Sequence, residues 1–348
     1  MYRFSRRMFV AFLSGSCLHR AQAQTYPDKP IKLVTPMAPA GGLDTLARFF
    51  SKYLSKELGQ PVVVENRPGA NGNLGAELVA RSTPDGYTLL ATYIGTQAIN
   101  PNLYSDLKFD AIEDFQAVAG LTKTSYVVAV HPSVQATTLK ELVALAKKNP
   151  GKINYASAGS GSLGHLGAKQ FEVMSEININ HIPYKGTGPA LMDVLAGRVE
   201  LIFNTYGSIG KYIQSGALRP LATAGKHRSR DMPNVPTTAE QGFPELDVNG
   251  WYGVVAPRHT PRSVINKLNA AVQKTLDDPE VIQWLHQQDH EPFTASPDEF
   301  AAFMKSEKTK WAKVIKASGL KVTSASPATY AAPPGQVMLA TSNIGVLV

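Results

Sequence analysis

Residues 31–59 read IKLVTPMAPAGGLDTLARFFSKYLSKELG, and the order of apolar and small residues in this stretch decides the fold. Ile31, Leu33 and Val34 make a short apolar run with strand character, and a loop of Pro, Ala and Gly follows. Leu43, Leu46, Ala47, Phe50, Leu54 and Leu58 then recur at helical spacing, and Gly59 supplies a C-terminal stop. Strand, glycine loop and amphipathic helix make one βα unit.

The same pattern repeats outward along the chain. A strand at 62–65 is followed by a Gly- and Asn-rich loop at 69–72, a helix at 74–81 and a strand at 87–91. It restarts with strands at 126–130, 153–156, 180–182, 199–203 and 218–222, separated by helices at 139–148, 163–174 and 190–196. Continuous apolar strands between helices predict α/β architecture with parallel sheets covered on both faces. The helices expected at 263–276, 280–287 and 297–316 bring too few strands for a third domain, so they should return onto the first unit. The chain would then cross between units near 115–125 and again near 222–252. This gives a discontinuous lobe 1 of residues 26–120 plus 225–322, a lobe 2 of 121–224, and a hinged clamp between them.

Composition excludes several classes of function. The chain has 348 residues, enough for two packed units, with 43% apolar and 18% charged residues, 28 Gly and 24 Pro, as in a globular protein rich in turns. Beyond the leader, no segment approaches the roughly 20 unbroken apolar residues that a membrane span requires. Half of the formal charge of +8 belongs to Arg3, Arg6, Arg7 and Arg20 in the leader. The remainder is spread thinly, which favours small anionic ligands over nucleic acid. The cluster Lys226, His227, Arg228 and Arg230 reads as a solvated loop. Cys17, the one cysteine, also lies in the leader, so disulfides, thiol nucleophiles and cysteine-ligated metals drop out together. The eight His contain no HExxH, and no metal site is expected.

The ends read differently from the body. Ser5-Arg6-Arg7-Met8-Phe9-Val10, an apolar run over 8–18 and Ala21-Gln22-Ala23 form an export signal over residues 1–23 that looks like a twin-arginine signal, although the general secretory route accepts similar leaders. Residues 323–348 are dense in Ala, Ser and Pro and read as a loose tail.

In an open α/β sheet, ligands sit beyond the carboxyl ends of the strands, where helix starts present backbone N–H groups. Two loops qualify. The first, residues 36–44, exposes amides at its glycines, with Asp44 in the first helical turn as site residue or cap. The second, residues 155–165, contains Gly159-Ser-Gly-Ser-Leu-Gly164, a G-x-G-x-x-G match. The acidic residue that a dinucleotide would need about 20 positions on is missing, since Asn180 and His181 stand there. Ser157, Ser160 and Ser162 instead converge at a helix start whose dipole contributes roughly 0.3–1 kcal/mol toward a negative charge. A carboxylate is the preferred occupant. G-x-S-x-G is absent, and His165, three residues after Ser162, reads as a helix-face contact or ligand bond rather than a general base. The alternative is a nicotinamide-dependent or hydrolytic enzyme on the Gly159 to Gly164 loop; an exported structural protein is a third, weaker reading.

Seven motifs extend these loops: Ala40 to Arg48, Glu65-Asn-Arg-Pro-Gly-Ala-Asn-Gly72, Pro84-Asp-Gly-Tyr-Thr-Leu89, Ala98-Ile-Asn-Pro101, Tyr155 to His165, Ile182-Pro-Tyr-Lys-Gly186 and Gly250-Trp-Tyr-Gly253. Together and in this order, over residues 26–322, they resemble the extracytoplasmic solute receptors of tripartite tricarboxylate transporters, the Bug receptors. The resemblance implies a two-lobed periplasmic-binding-protein clamp, a type II Venus flytrap. Such a clamp would act as a monomer without metal, cofactor or catalysis and would deliver an organic carboxylate to membrane permease subunits. It implies that Ala40, Gly41 and Gly42 in one lobe, and Ser157, Gly159, Ser160, Gly161 and Ser162 in the other, grip one carboxylate. Asp44 matches the family's acidic position, and Met37, Tyr93, Thr96, His165 and Asn204 would choose the rest of the ligand. Two departures stand out: Met37 replaces a usual Phe or Tyr, and Asn204 replaces a usual Asp, which favours a ligand without an amino group.

Overall fold

The computed structural model describes residues 26–39, 41–225 and 227–320. The leader, Ala40, Lys226 and the tail lie outside the described residues.

The chain runs β1 (Ile31–Thr35), α1 (Gly42–Leu58), β2 (Val62–Asn66), α2 (Asn73–Ala80), β3 (Thr88–Tyr93), α3 (Asn100–Leu103) and β4 (Phe115–Val130). It continues α4 (Leu139–Lys148), β5 (Asn154–Ser157), α5 (Leu163–Ser175), β6 (Asn180–Pro183), α6 (Thr187–Leu195), β7 (Leu201–Thr205), α7 (Tyr206–Gln214) and β8 (Arg219–Ala224). It closes with β9 (Asn249–Pro257), α8 (Arg262–Leu276), α9 (Pro279–Gln287), β10 (Glu291–Pro292) and α10 (Pro297–Ser318). A 3-10 turn at Ala70–Gly72 and a π-helix at Gly95–Ile99 precede α2 and α3.

The strands lie in the order β2-β1-β3-β9-β4-β7-β5-β6, with β8 and β10 also paired to β4. The expected parallel sheets are corrected in the middle. β1 runs parallel to β2 and β3, and β5 runs parallel to β6 and β7. β9, however, is antiparallel to β3 and β4, and β4 is antiparallel to β7 and β8. The first expected crossing, near 115–125, is itself strand. Residues 115–125 of β4 pair with β9, and Tyr126 to Val130 continue into the second half beside β7 and β8.

β9 escaped the sequence reading because Gly250 and Gly253 interrupt it, and packing explains the second of them. Gly120 and Gly253 face each other across β4 and β9. A Cβ on Gly253 would lie 2.2 Å from Phe300 Cζ, and one on Gly120 would lie 2.6 Å from Phe293 Cδ1. The bare backbone is covered by these two rings, whose centroids are 5.8 Å apart at 83°. Trp251, one residue before Gly253's neighbour, is 1% exposed, and its indole N–H donates to the buried Glu307 carboxylate at 3.2 Å. Trp311 donates to the same carboxylate at 3.3 Å.

Of the C-terminal helices, α8 packs on α1 and β4. α10 reaches further than expected and also packs on α5 of the second half. Gly253→Ala should therefore crowd Phe300 and cost about 1–3 kcal/mol. Gly188→Ala, with nothing within 4 Å of the new methyl, should be near neutral. Urea midpoints of the two variants at unchanged slope check this contrast.

Candidate functional site

Both glycine loops lie between a strand's carboxyl end and a helix start. In the first, the residue preceding α1 is Gly41, extended at φ −77°, ψ 165°, and no side chain caps the helix. The amides of Gly42 and Leu43 carry no hydrogen bond among the described residues, and α1 is 17 residues long. Such a start favours negative charge.

A polar node holds the loop from below. Asp44 is 3% exposed and accepts from Arg48 Nε at 3.0 Å and Asn66 Nδ2 at 2.8 Å. Asn66 Nδ2 also approaches Thr35 Oγ1 at 2.8 Å and the Met37 carbonyl at 3.1 Å, while Arg48 Nη2 donates to Asn66 Oδ1 at 2.8 Å. Asp44 thus ties the ends of β1 and β2 to α1; it is not the helix cap.

The neighbouring wall comes from residues 69–72, four successive residues with positive φ. A Cβ on Gly72 would fall 3.0 Å from Thr96 Cγ2, 3.3 Å from Pro36 Cβ and 3.4 Å from Tyr93 Cε1, so three segments meet there. Tyr93 OH donates to the Asn71 carbonyl at 2.9 Å, and its ring lies over Gly95. Thr96 is fully buried, its hydroxyl shared with Thr92 Oγ1 at 2.8 Å and the Tyr93 carbonyl at 3.1 Å. Of Thr96, the methyl is what faces Gly72.

In the second loop, Ser162 caps α5 and accepts from His165 N at 3.4 Å. Gly159 and Gly161 have φ of 134° and 80°, values that L side chains rarely adopt. Ser157 is 2% exposed and its hydroxyl is committed to Gly159 N and O, both at 3.1 Å, and to His181 Nε2 at 2.7 Å. Gly161 N donates to His165 Nδ1 at 3.0 Å. Ser160 is exposed, and neither its amide nor its hydroxyl has a partner among the described residues. The last glycine of G-x-G-x-x-G is a packing residue, since a Cβ on Gly164 would sit 2.5 Å from the Phe203 carbonyl.

Each loop lies against residues of the first half near the seam between the half-sheets. A Cβ on Gly161 would meet Leu103 Cδ1 of α3 at 2.7 Å, and one on Gly42 would lie 3.9 Å from Tyr252 OH. Tyr126 stands 3.8 Å from the corresponding point on Gly164. Burial pushes the phenols of Tyr93, Tyr126 and Tyr252 up. Tyr104 and Tyr252 add to this at Tyr93, as do Tyr252 and Tyr93 at Tyr126. Sequence reasoning missed Tyr104, Tyr126 and Tyr252, although the quoted Gly250-Trp-Tyr-Gly253 run held the signal. Strand alternation with Trp251 on the core face puts Tyr252 on the seam face. Asn204 is 7% exposed and accepts from Thr205 N at 2.8 Å.

His165 and His181 stack at 3.8 Å and 4° beneath the second loop. Burial lowers both, His165 to about 3 with help from His181 and Lys169, and His181 to about 4 with help from Lys169. A ring whose Nδ1 accepts an amide does not serve Ser162 as a base. One His pair four apart, His286 and His290, went unnoticed in the sequence; His290 Nδ1 contacts Thr122 Oγ1 at 3.2 Å and His286 faces Glu291 at 3.6 Å. Among the described residues, no group of three His, Cys, Asp or Glu is placed to hold a metal ion.

The Tripartite tricarboxylate transporter family receptor model matches residues 46–320. Protein BugT of Bordetella pertussis is 36% identical over 301 residues, covering 86% of this chain and 92% of BugT. A Rhodopseudomonas palustris protein solved with adipate superposes with a TM-score of 0.77 at 32% identity, covering 85% of this chain and 99% of its own. MatC of the same organism, solved with malate, superposes at 0.73 and 30% identity, covering 83% and 100%. The fold is that of the two-lobed periplasmic binding proteins, and the chain belongs to the tripartite tricarboxylate transporter receptor family.

Proposed function

We propose that this chain is a periplasmic receptor that closes two lobes on a small organic carboxylate and hands it to the permease subunits of a tripartite transporter, without catalysis. One observation supports this reading most: the amides of Gly42 and Leu43 at the start of α1, and the amide and hydroxyl of Ser160 in the turn before α5, have no partner among the described residues, and both loops follow the carboxyl ends of strands. Charge-assisted hydrogen bonds from such amides strengthen as closure excludes water. The family's solved relatives hold adipate and malate, both short diacids, and we extend that class to this chain. Met37, Tyr93, Tyr126, Tyr252 and Asn204 shape the remainder of the pocket. Because the Asn204 oxygen is taken by its own backbone neighbour and carries no charge, a ligand ammonium finds no anion there. Residues 1–23 send the chain to the periplasm, the lobes are 26–120 with 225–322 and 121–224, and the receptor works as a monomer.

Thermal melts of the exported form against malate, adipate, other mono- and diacids and NAD test the reading. One acid at a hundred times its Kd should add about 2.7 kcal/mol; a shift with NAD and with no acid would reverse it. Ser160→Ala removes a hydroxyl that bonds nothing else, so calorimetry should record roughly tenfold weaker acid binding at unchanged melting temperature. The two loop histidines also set a pH dependence. Their folded pKa values lie below the unfolded value of about 6.5, so the unfolded chain binds more protons and stability declines from pH 6.5 down to about 4 through His181 and to about 3 through His165. Urea midpoints at pH 7, 5 and 4 should show this decline, and a smaller one in His181→Phe.

A further inference from the structure

The ligand turn of the second half rests on three stacked rings. Tyr155 and His181 are register partners on β5 and β6 with centroids 4.9 Å apart, and His165 from α5 stacks on His181. Each imidazole reaches up to one side of the turn.

Hydrogen accounting assigns their protons. Gly161 N–H is a donor, so His165 Nδ1 accepts and its proton sits on Nε2. Ser157 Oγ has one hydrogen and two lone pairs for three contacts. Giving the hydrogen to the Gly159 carbonyl leaves the lone pairs for Gly159 N–H and for His181, which must then donate from Nε2. His165 is neutral in this arrangement, since an imidazolium there would turn an N–H against the Gly161 N–H, and burial holds His181 well below its ordinary value. The charged groups around them are Lys169 and its partner Glu172, 2.8 Å apart on α5, and the phenol of Tyr155 lies on β5. With Ser157 and Gly161 so engaged, Ser160 keeps both its amide and its hydroxyl without a partner among the described residues.

We propose that His181 is a positioning residue for ligand capture: through Ser157, and through its stack on His165, it fixes the turn so that the Ser160 amide and hydroxyl face the ligand. Its purpose rests on the carboxylate reading above, whereas its mechanics rest on ring geometry alone. The electropositive character of the turn then comes from backbone amides, not from imidazolium charge.

Nitrogen-15 spectra of the imidazoles in the ligand-free exported protein at pH 7 test the mechanics. Both rings should carry the proton on Nε2, and an Nδ1–H form of either overturns the proposal. His181→Phe keeps the stack and loses the donor, while His181→Gln restores a donor near the Nε2 position. Titrated with malate and adipate, the Phe variant should bind roughly tenfold more weakly and the Gln variant within about threefold of the parent. A Phe variant at parental affinity, or a Gln variant as weak as Phe, overturns the proposal. If the variants do not fold, the ring spectra decide. If the parent itself binds no acid, the carboxylate reading fails, and amide exchange at Gly161 judges the positioning role: faster exchange in His181→Phe supports it and unchanged exchange overturns it.

Discussion

One ladder of backbone hydrogen bonds governs this molecule. β4 spends its first eleven positions against β9 and its last five between β7 and β8, so both half-sheets share a single continuous strand. The two helix starts are therefore positioned from a common backbone, and the distance between them depends on how that strand bends. Register shifts at Ala117 to Ala119 and Gly120 to Thr122 concentrate irregularity on the first-half side of the seam, where bulges add twist. The seam-facing tyrosines sit on that frame, Tyr93 paired across from Tyr252 and Tyr126 at the point where β4 changes partners.

The two loops reach the same chemical outcome by different means. Below the first, a buried carboxylate, an amide and a guanidinium interlock as Asp44, Asn66 and Arg48. Below the second, neutral rings do the work, with Ser157 as the link. In each case the supporting side chains satisfy one another, while the Gly42, Leu43 and Ser160 amides have no partner among the described residues.

Much of this was readable in advance, for identifiable reasons. The helices α1 and α5 and the strands β1 and β5 follow from local apolar spacing and from Gly59 and Ser162 at their ends. Both glycine loops could be located for the same reason. What escaped was non-local. β9 is a strand because Phe293 and Phe300 cover Gly120 and Gly253, and that requires residues more than forty positions away. The commitment of Thr96, Ser157 and Gly161 to internal bonds was likewise invisible, since residue type reveals a donor but not its partner. Tyr126 looked like an ordinary strand residue and Tyr252 lay outside every expected strand until pairing put both on the seam.

The discontinuity of the first half has a consequence for how the chain is made. β1 to β3 are complete within the first hundred residues, yet the strand that joins them to β4 is β9, and the helix that covers α1 is α8. The second half, in contrast, draws most of its strands and helices from one unbroken stretch, with low separation between partners. It is thus free to condense as it emerges, while the amino-terminal strands wait, edge exposed, for the last third of the polypeptide to arrive.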